Sequence, residues 1–412
     1  MTTVGIEALN VYAGEAFIEV ADLFTARGLD TSRMDNLMMK RKSVSLHCED
    51  AVSCAVNAAR PLVDALTDEQ RAGIQLVIVG TESGIDFGKS LATYVHDLLG
   101  LHRGCRLLEV KQACYAGTAA MQLAASVVAA SPARHARALV IATDVARPVP
   151  NTYVEPSQGA GAVAAIVSRE PVVARLDWGA NGFHSYEVMD TCRPAPDVEA
   201  GDVDLSVLTY IDCLYGAWSD YLRKVRDADP IASFDLLAMH TPFPGMVRGA
   251  HAAVLRRLLR LPRERIESDF TARLLPSLRY PQLVGNLYTA TALLALASTI
   301  DNAEITGERR VGVFAYGSGC SSEFYSCVVS PDSVAALGRM GIGRALDARY
   351  RLSPAEYDEI LAATAEIGHS PRDYKIDVDR FGHILHRQLA GRQRLVLTAI
   401  NNYHREYAWI GS

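Results

Sequence analysis

The segment LVIVGTES, residues 76–83, begins a pattern that recurs later in the chain and decides the fold. It reads as a buried strand that ends in polar residues, and a helix-like run and a second strand follow it. The same order returns in the second half of the sequence, which predicts two similar halves around a pseudo-twofold axis. Chance similarity between alanine-rich helices is the alternative, because short motifs have low specificity. The matching segments are LVIVGTES (76–83), CYAGTAAMQLAAS (114–126) and ALVIATDVARP (138–148), against FDLLAMHTPF (234–243), NLYTATALLALAS (286–298) and RVGVFAYGSG (310–319).

The hydrophobic pattern predicts an α/β fold. Five short, continuous apolar runs are typical of strands that are covered on both faces, and the segments 118–130 and 290–299 are apolar nearly all round, as buried helices are. Alternating strands and helices favour parallel-type sheets. We divide the chain into residues 1–170 and residues 171–412, the second part including a C-terminal extension in which Ser353-Pro-Ala-Glu356 predicts a helix start.

Composition excludes several classes of protein. The 412 residues are 49% apolar and 21% charged, which excludes disorder, and the formal charge of −6 excludes a chain-wide polycation for nucleic acid. The eight cysteines form no CxxC motif, so we expect no metal site, and free thiols in a reducing cytoplasm. We see no signal peptide, and the longest apolar stretches, 117–130 and 293–300, are shorter than the roughly 20 residues of a membrane helix. We therefore expect no membrane association.

Cys114 and Glu82 are the first candidates for chemistry. Cys114 lies in EVKQACYAGTAAM, at a turn from a strand to a helix, where the helix dipole and free backbone N–H groups favour the nucleophilic thiolate. Glu82 follows a buried strand, where an apolar crevice raises the pKa of a carboxyl group and makes it a general base. Taken alone, a buried inert cysteine and a solvated loop carboxylate are the alternatives.

The second half supplies a histidine, an asparagine and a glycine-rich turn. His240 ends a strand and points into the crevice where α/β folds bind ligands, unless it is a satisfied core histidine. Asn286 begins the second buried helix, either as an N-cap or as a residue that orients a carbonyl. In Tyr316-Gly317-Ser318-Gly319 the glycines allow a ligand to approach the backbone, although a plain turn is the simpler interpretation. Together these residue types suit acyl transfer through a cysteine thioester.

Five motifs in a fixed order resemble those of hydroxymethylglutaryl-CoA synthase, a family of the thiolase fold, over nearly the whole chain. The resemblance implies that Glu82 is the catalytic base, that Cys114 is the nucleophile and that His240 is the catalytic histidine. It also implies a homodimer and a thiolase-like α/β fold with two similar halves in a five-layer αβαβα arrangement. The motifs are GTES (80–83), QACYAGTAA (112–120), HTPF (240–243), GNLYTA (285–290) and YGSG (316–319).

The resemblance extends to the substrate pocket. It implies that Asn286, Tyr316 and Ser318 line this pocket, and that Asp190 lies near it, since SYEVMDTCRP resembles the YDF-x-RP segment of the family.

One departure from the family bears on the acyl carrier. Members from primary metabolism have lysines after HTP[FY] that help hold the CoA phosphates, whereas Gly245 and Gly249 stand at those places here and only Arg248 is basic. We expect Arg248 to bind substrate. The segment GMVRGAH and the tail YHREYAWI (403–410) resemble the branch of the family that works in polyketide β-branching with acyl carrier proteins.

The expected function is an aldol condensation. A Cys114-bound acetyl group from a donor carrier protein would add to the β-ketone of an acceptor on a second carrier protein, and hydrolysis would follow. No cofactor is expected, since the acyl group travels on phosphopantetheine or CoA. The alternatives are a mevalonate-pathway synthase that uses acetyl-CoA and acetoacetyl-CoA, a decarboxylating ketosynthase, and a catalytically silent scaffold. A basic cluster could dock an acidic carrier protein or be a solvated helix face; its members are Arg256, Arg257, Arg260, Arg263 and Arg265.

Overall fold

The computed structural model describes residues 3–195, 198–389 and 391–411. The strands are β1 (Gly5–Tyr12), β2 (Ala16–Glu19), β3 (Arg41–Val44), β4 (Ile74–Gly80), β5 (Arg106–Val110), β6 (Arg137–Val145), β7 (Ala160–Ser168), β8 (Ala174–Ser185), β9 (Thr191–Ala195), β10 (Val198–Gly201), β11 (Leu236–Met239), β12 (Arg309–Gly317), β13 (Ser321–Val329), β14 (Tyr350–Arg351), β15 (Tyr374–Lys375), β16 (Arg394–Asn401) and β17 (His404–Ile410). The α-helices are α1 (Val20–Arg27), α2 (Met34–Leu37), α3 (Ala51–Asp64), α4 (Asp68–Ala72), α5 (Ala92–Leu98), α6 (Ala116–Ala130), α7 (Val203–Lys224), α8 (Pro244–Leu259), α9 (Arg263–Asp269), α10 (Pro281–Val284), α11 (Thr291–Asn302), α12 (Pro331–Gly338), α13 (Ile342–Ala348), α14 (Pro354–Ile367) and α15 (Gly382–Gln388).

The largest sheet of the described residues has nine strands, in the order β11-β12-β13-β8-β1-β7-β6-β4-β5. β4 is parallel to β5 and β6, and β11 is parallel to β12, but the other neighbours are antiparallel. The prediction of parallel-type sheets is therefore wrong for β7. No α-helix lies between β6 and β7, so the chain returns without a crossover and reverses its direction.

Helices lie on the outer faces of the large sheet and between the two portions into which it divides. β1 and β8 share only a short pairing at Gly5 and Ile6, where the sheet divides into two portions. Residues of α6, α11 and both portions form one hydrophobic cluster, so these two helices lie between the portions. α3 covers the outer face of the first portion and α7 that of the second. This order of layers confirms the five-layer αβαβα arrangement with two similar halves.

The layers explain the continuous apolar strands. On β4, Leu76 and Ile78 face the central helices, while Val77 and Val79 face α3, so both faces of the strand are buried. Burial of a side chain of this size contributes about 1.5–3 kcal/mol. The division between residues 170 and 171 falls between β7 and β8 and stays a prediction.

The C-terminal extension packs on N-terminal elements. β14 pairs with β2, and apolar residues of α14, α15 and β16 pack against β2 and β3. The predicted helix start at Ser353 is confirmed, because its side chain caps Glu356 N–H and the Glu356 carboxylate accepts from Ser353 N–H.

One segment differs from the sequence expectation about membranes. Among the described residues, Ala113–Ala130 is long enough and apolar enough to cross a membrane by length and composition alone. Most of this segment is α6, which lies between the two portions of the large sheet. That is the position of a core helix.

Candidate active site

The ends of the parallel strands bring the sequence candidates together. Glu82 follows β4, Cys114 lies between β5 and α6, and Asp144 is near the end of β6. These three strands run in one direction, so the residues that follow them lie at one edge of the sheet. In the second half, His240 follows β11 and Ser318 follows β12, which are also parallel.

Glu82 and Cys114 are neighbours. The Cys114 thiol lies within reach of the Glu82 carboxylate, to which it can donate a hydrogen bond, and Glu82 Oε1 has no hydrogen-bond partner in the described part of the chain. Burial raises the pKa of Glu82 to about 7; the Asp144 carboxylate contributes to this rise and Arg193 opposes it. The expectation of a raised pKa is confirmed. Near neutral pH this carboxyl group can therefore both accept and return a proton.

The expectation that the helix start favours a Cys114 thiolate is wrong. Burial raises the pKa of the Cys114 thiol well above its ordinary value, and the Glu82 carboxylate raises it further. α6 begins only at Ala116, and Ala113 has a positive φ of 43°, so the thiol lies in a turn before the helix. The Cys114 thiol is therefore protonated and lies beside the Glu82 carboxyl group.

Asp144 holds the Glu82 loop in place. Its fully buried carboxylate accepts hydrogen bonds from Glu82 N–H at 2.8 Å, Ser83 Oγ at 2.9 Å and Thr81 Oγ1 at 3.2 Å. It also accepts from the backbone N–H of Thr289 at 3.0 Å and from Thr289 Oγ1 at 2.6 Å. One carboxylate thus ties the loop of the first half to the turn that follows Asn286.

His240 is buried and neutral. Its side chain belongs to a residue that is 1% exposed, and burial lowers the pKa of the ring to about 3. Nδ1 has no hydrogen-bond partner within the residues that the structure describes, so His240 is not a satisfied core histidine. Its ring centroid lies 6.4 Å from that of Tyr316. The Tyr316 hydroxyl in turn donates to the buried carboxylate of Asp190.

The Asn286 side chain accepts two hydrogen bonds through its amide oxygen. Its Oδ1 accepts from Tyr288 N–H at 2.8 Å and from Thr291 Oγ1 at 2.9 Å. The interpretation of Asn286 as the N-cap is wrong, because Leu287 and Ala290 are the N-caps of the 3₁₀ turn and of the α-helix that follow. The α-helix begins later than predicted, at Thr291, because a 3₁₀ turn over Tyr288–Ala290 precedes it. Since the amide oxygen is occupied, the amide N–H₂ group is what Asn286 can offer to a ligand.

Two glycines allow the halves to meet around Cys114. A Cβ on Gly117 would lie 2.2 Å from the backbone oxygen of Thr289, and a Cβ on Gly317 would lie 2.5 Å from that of Gln112. Both distances are shorter than any allowed contact. The turn before α6 and the first turn of α6 therefore touch the second half at two points where only glycine fits.

Replacing Gly117 with alanine is expected to separate these two halves locally. The methyl group meets backbone rather than a flexible side chain, so we expect a loss of about 1–3 kcal/mol in the free energy of unfolding, measured by thermal or denaturant unfolding. Gly249→Ala is the matched control, because its Cβ meets nothing within 4 Å on α8, and we expect it to be neutral or stabilising. Equal effects of the two variants would contradict the close contact.

Arg248 does not join this cluster. It lies on the exposed side of α8, where it forms an ion pair with Glu267 at 2.6 Å and lies over the Phe270 ring at 5.5 Å. The contacts described above connect two groups instead. Glu82, Cys114 and Asn286 form one, and His240, Tyr316 and Asp190 form the other; the close approach of Gly317 to Gln112 brings the two groups together. Ser318 lies in the turn between β12 and β13, next to Gly317. Substrate binding by Arg248 and by Ser318 stays a prediction.

Sequence reasoning missed Asp144 and Arg193. Arg193 Nη1 lies 3.9 Å from Glu82 Oε2, and its guanidinium lies 5.0 Å from the Tyr288 ring centroid. Both residues stood in segments already singled out, ATDVARP and SYEVMDTCRP. The polar ending of a buried strand was the available signal for Asp144. The available signal for Arg193 was the Arg193-Pro194 pair, which matches the RP of the family segment YDF-x-RP.

A cavity of about 600 Å³ reaches Glu82 from the side of residues 83–90. Thr81, Arg193 and Lys111 are among the residues that line it. The cavity gives Glu82 access to water and small molecules.

Comparison with known proteins agrees with this arrangement. The family models "Hydroxymethylglutaryl-coenzyme A synthase N terminal" and "C terminal" match residues 1–171 and 256–381. The chain is 46% identical to the polyketide biosynthesis 3-hydroxy-3-methylglutaryl-ACP synthase PksG of Bacillus subtilis (strain 168), over 100% of both chains. It is 33% identical to a hydroxymethylglutaryl-CoA synthase of Enterococcus faecalis, over 98% of this chain and 99% of that one. The HMG synthase of the curacin biosynthetic pathway, solved in complex with acetyl donor-ACP, is 50% identical and superposes with a TM-score of 0.96 over 99% of this chain and 100% of that one.

Proposed function

Because the chain belongs to the hydroxymethylglutaryl-CoA synthase family, we propose that it is an acyltransferase that performs the condensation of polyketide β-branching. It takes an acetyl group from a donor acyl carrier protein and adds it to the β-ketone of a chain on an acceptor carrier protein. The observation that carries this proposal is that the Cys114 thiol and the Glu82 carboxyl group are neighbours at one edge of the sheet, where each raises or lowers the pKa of the other. This pair supplies a nucleophile and a base for the α-carbon of the bound acetyl group.

Loading transfers the acetyl group to Cys114. The thiol attacks the thioester carbonyl, a new carbon–sulfur bond forms, and the bond to the carrier thiol breaks. The proton that leaves Cys114 is matched by the proton that the carrier thiol takes up. Backbone N–H groups near Cys114 and Ser318 would stabilise the carbonyl oxygen as it gains charge.

Condensation needs the base and the histidine. Glu82 removes a proton from the acetyl methyl group, and the enolate attacks the β-ketone of the acceptor. His240 is neutral, so its ring N–H can donate to the acceptor carbonyl, with help from the Asn286 amide. The resulting alkoxide takes up one proton, which balances the proton that Glu82 removed from the methyl group and later releases. Water then hydrolyses the Cys114 thioester and leaves a free carboxylate on the branched product.

Two observations favour a carrier protein over free CoA. PksG is named as an ACP synthase, and the curacin enzyme was solved with acetyl donor-ACP. The five arginines of the basic cluster, all on or near α8 and α9, have exposed side chains that an acidic carrier could contact. Arg257 is partly engaged, since it stacks on Tyr215 at 3.5 Å and lies 3.7 Å from Asp212. The hydroxymethylglutaryl-CoA synthase activity for which the Enterococcus relative is named is the second candidate.

The decisive experiment compares the two acetyl donors by intact-protein mass spectrometry. The purified protein is mixed with acetyl-CoA or with an acetylated donor carrier protein, and the gain of one acetyl group is followed in time. We expect rapid gain from the carrier protein only. Charge reversal at Arg256 and Arg260 should slow loading from the carrier and leave any slow loading from acetyl-CoA unchanged. Fast loading from low concentrations of acetyl-CoA would instead favour the mevalonate-type enzyme.

The remaining expectations belong to the same proposal. We propose a homodimer in the cytoplasm that uses no metal or redox cofactor and has no nucleic-acid or membrane partner. β5 is the last strand at one end of the large sheet, and Leu108 on this strand is 47% exposed. This end of the sheet is a surface where a second copy could pair.

A further inference from the structure

Arg193 lies between two carboxylates and is closer to the one that the mechanism does not use. Its Nη2 is 3.2 Å from Glu199 Oε2, whereas its Nη1 is 3.9 Å from Glu82 Oε2. The exposed fraction of the side chain is 20% for Arg193, 24% for Glu199 and 15% for Glu82. Water therefore screens the three charges only in part. The cation is therefore shared, and Glu199 has the shorter contact.

The Glu199 carboxylate is also held by a buried glutamine. Gln158, 3% exposed, donates from Nε2 to Glu199 Oε2 at 3.3 Å and accepts from Val149 N–H at 3.1 Å. The segment of Gln158 is bonded to Asn286, whose N–H donates to Ser157 O at 2.7 Å and whose carbonyl accepts from Gly159 N–H at 3.1 Å. The position of Glu199 is thus tied to the frame of the site itself.

We propose that Glu199 is a positioning residue of the condensation, which draws Arg193 away from full contact with Glu82 and so keeps Glu82 a strong base. A guanidinium closed onto a carboxylate in a bidentate pair favours the charged form strongly and weakens the carboxylate as a proton acceptor. When Arg193 is held at 3.9 Å, it orients Glu82 but does not weaken the carboxylate as a proton acceptor to that extent. This inference rests on the proposed role of Glu82 as the base.

The charged and titratable groups around Glu82 come from several elements. They are Asp144 on β6, Cys114 before α6, Arg193 on β9, Glu199 on β10 and Tyr288 in the 3₁₀ turn. Asp144 is bound by five donors and is left unchanged in the test, as are Cys114 and Tyr288. Arg193 and Glu199 are the two groups whose charges can be changed without touching a reacting atom.

The test is the pH dependence of condensation by enzyme that already carries acetyl on Cys114. Glu199→Gln should lower the midpoint pH by about one unit and reduce the high-pH rate about 3- to 10-fold, because Arg193 closes onto Glu82. Arg193→Gln should raise the midpoint by about one unit or more. With Arg193→Lys, which keeps the positive charge, the midpoint should stay close to that of the unmodified protein. Glu308→Gln, which removes the exposed partner of Arg175, is the control and should leave the profile unchanged.

A double variant tests whether Glu199 acts through Arg193. In the Arg193→Gln background, Glu199→Gln should move the midpoint much less than it does alone. An equal shift in both backgrounds, or no shift in the single variant, would overturn the inference. Should Glu199→Gln not fold, Glu199→Asp retracts the carboxylate and should lower the midpoint by a smaller amount. If Glu82→Ala condenses normally in the same assay, the proposed function itself fails, and the two failures are distinguishable.

Discussion

Replacing Cys114 with alanine is expected to abolish transfer of acetyl from the donor to the protein. No other described cysteine neighbours Glu82, and the variant removes only a sulfur atom from a turn that backbone contacts hold. Intact-protein mass spectrometry should show no gain of an acetyl group from either donor at any time. Thermal unfolding should stay close to that of the unmodified protein.

Cys105→Ala is the matched control for this variant. Cys105 is also a free, partly exposed thiol of the first half, and its Sγ donates to the Ile74 carbonyl on the outer end of the sheet. We expect it to load acetyl at an unchanged rate. Acetyl gain by the Cys114→Ala protein would show that another residue is the nucleophile, and failure of the unmodified protein to load from any carrier would favour a silent scaffold.

Replacing Glu82 with alanine is expected to separate loading from condensation. The thiol of Cys114 remains, so acetyl should still be gained, but no group is left to remove the methyl proton. Loss of a general base lowers a rate by about 100- to 10,000-fold, so single-turnover condensation with a β-ketoacyl carrier protein should be undetectable or very slow. For the unmodified protein, the rate should rise with pH around a midpoint near 7, because burial raises the pKa of Glu82 to about 7 and only the ionised form accepts a proton.

Glu82→Gln is the shape-conserving companion of this variant. It keeps the volume of the side chain in the buried site and removes only its charge and basicity. Both variants should accumulate acetyl-enzyme in the mass spectrum. Normal condensation by either would exclude Glu82 as the base, and loading with a malonyl extender followed by loss of CO₂ would support a decarboxylating ketosynthase instead.

Much of the fold could be predicted because the chain repeats a local pattern. The apolar runs of β4 and β6 and the apolar helices α6 and α11 each carry their own signal, since burial on both faces leaves no room for polar residues. β8 gives no such signal, because Ala174, Leu176 and Gly182 are its only buried residues. β7 is antiparallel because no crossover helix precedes it. The apolar sequence of the strand itself carries no sign of its direction.

The site was predictable where one short motif contains the reacting atom. Glu82, Cys114 and His240 each sit at the end of a strand or before a helix, and this local context indicates chemistry. Arg193 was not predictable, because its meaning comes from the distance to Glu82, more than a hundred positions away in sequence. The protonated state of Cys114 was missed for a related reason, since burial by distant segments outweighs the local effect of the helix start.

The central position of β1 has a consequence for synthesis on the ribosome. Both strands that flank β1, β7 and β8, are made about 150 residues after it. At roughly 5–20 residues per second, this strand waits about 8–30 s without its partners. Neither half can complete its layer before then, so the nascent chain exposes an apolar strand that a chaperone must shield or a neighbouring nascent chain can capture. Removing β1 would therefore remove the strand that joins the two portions of the sheet.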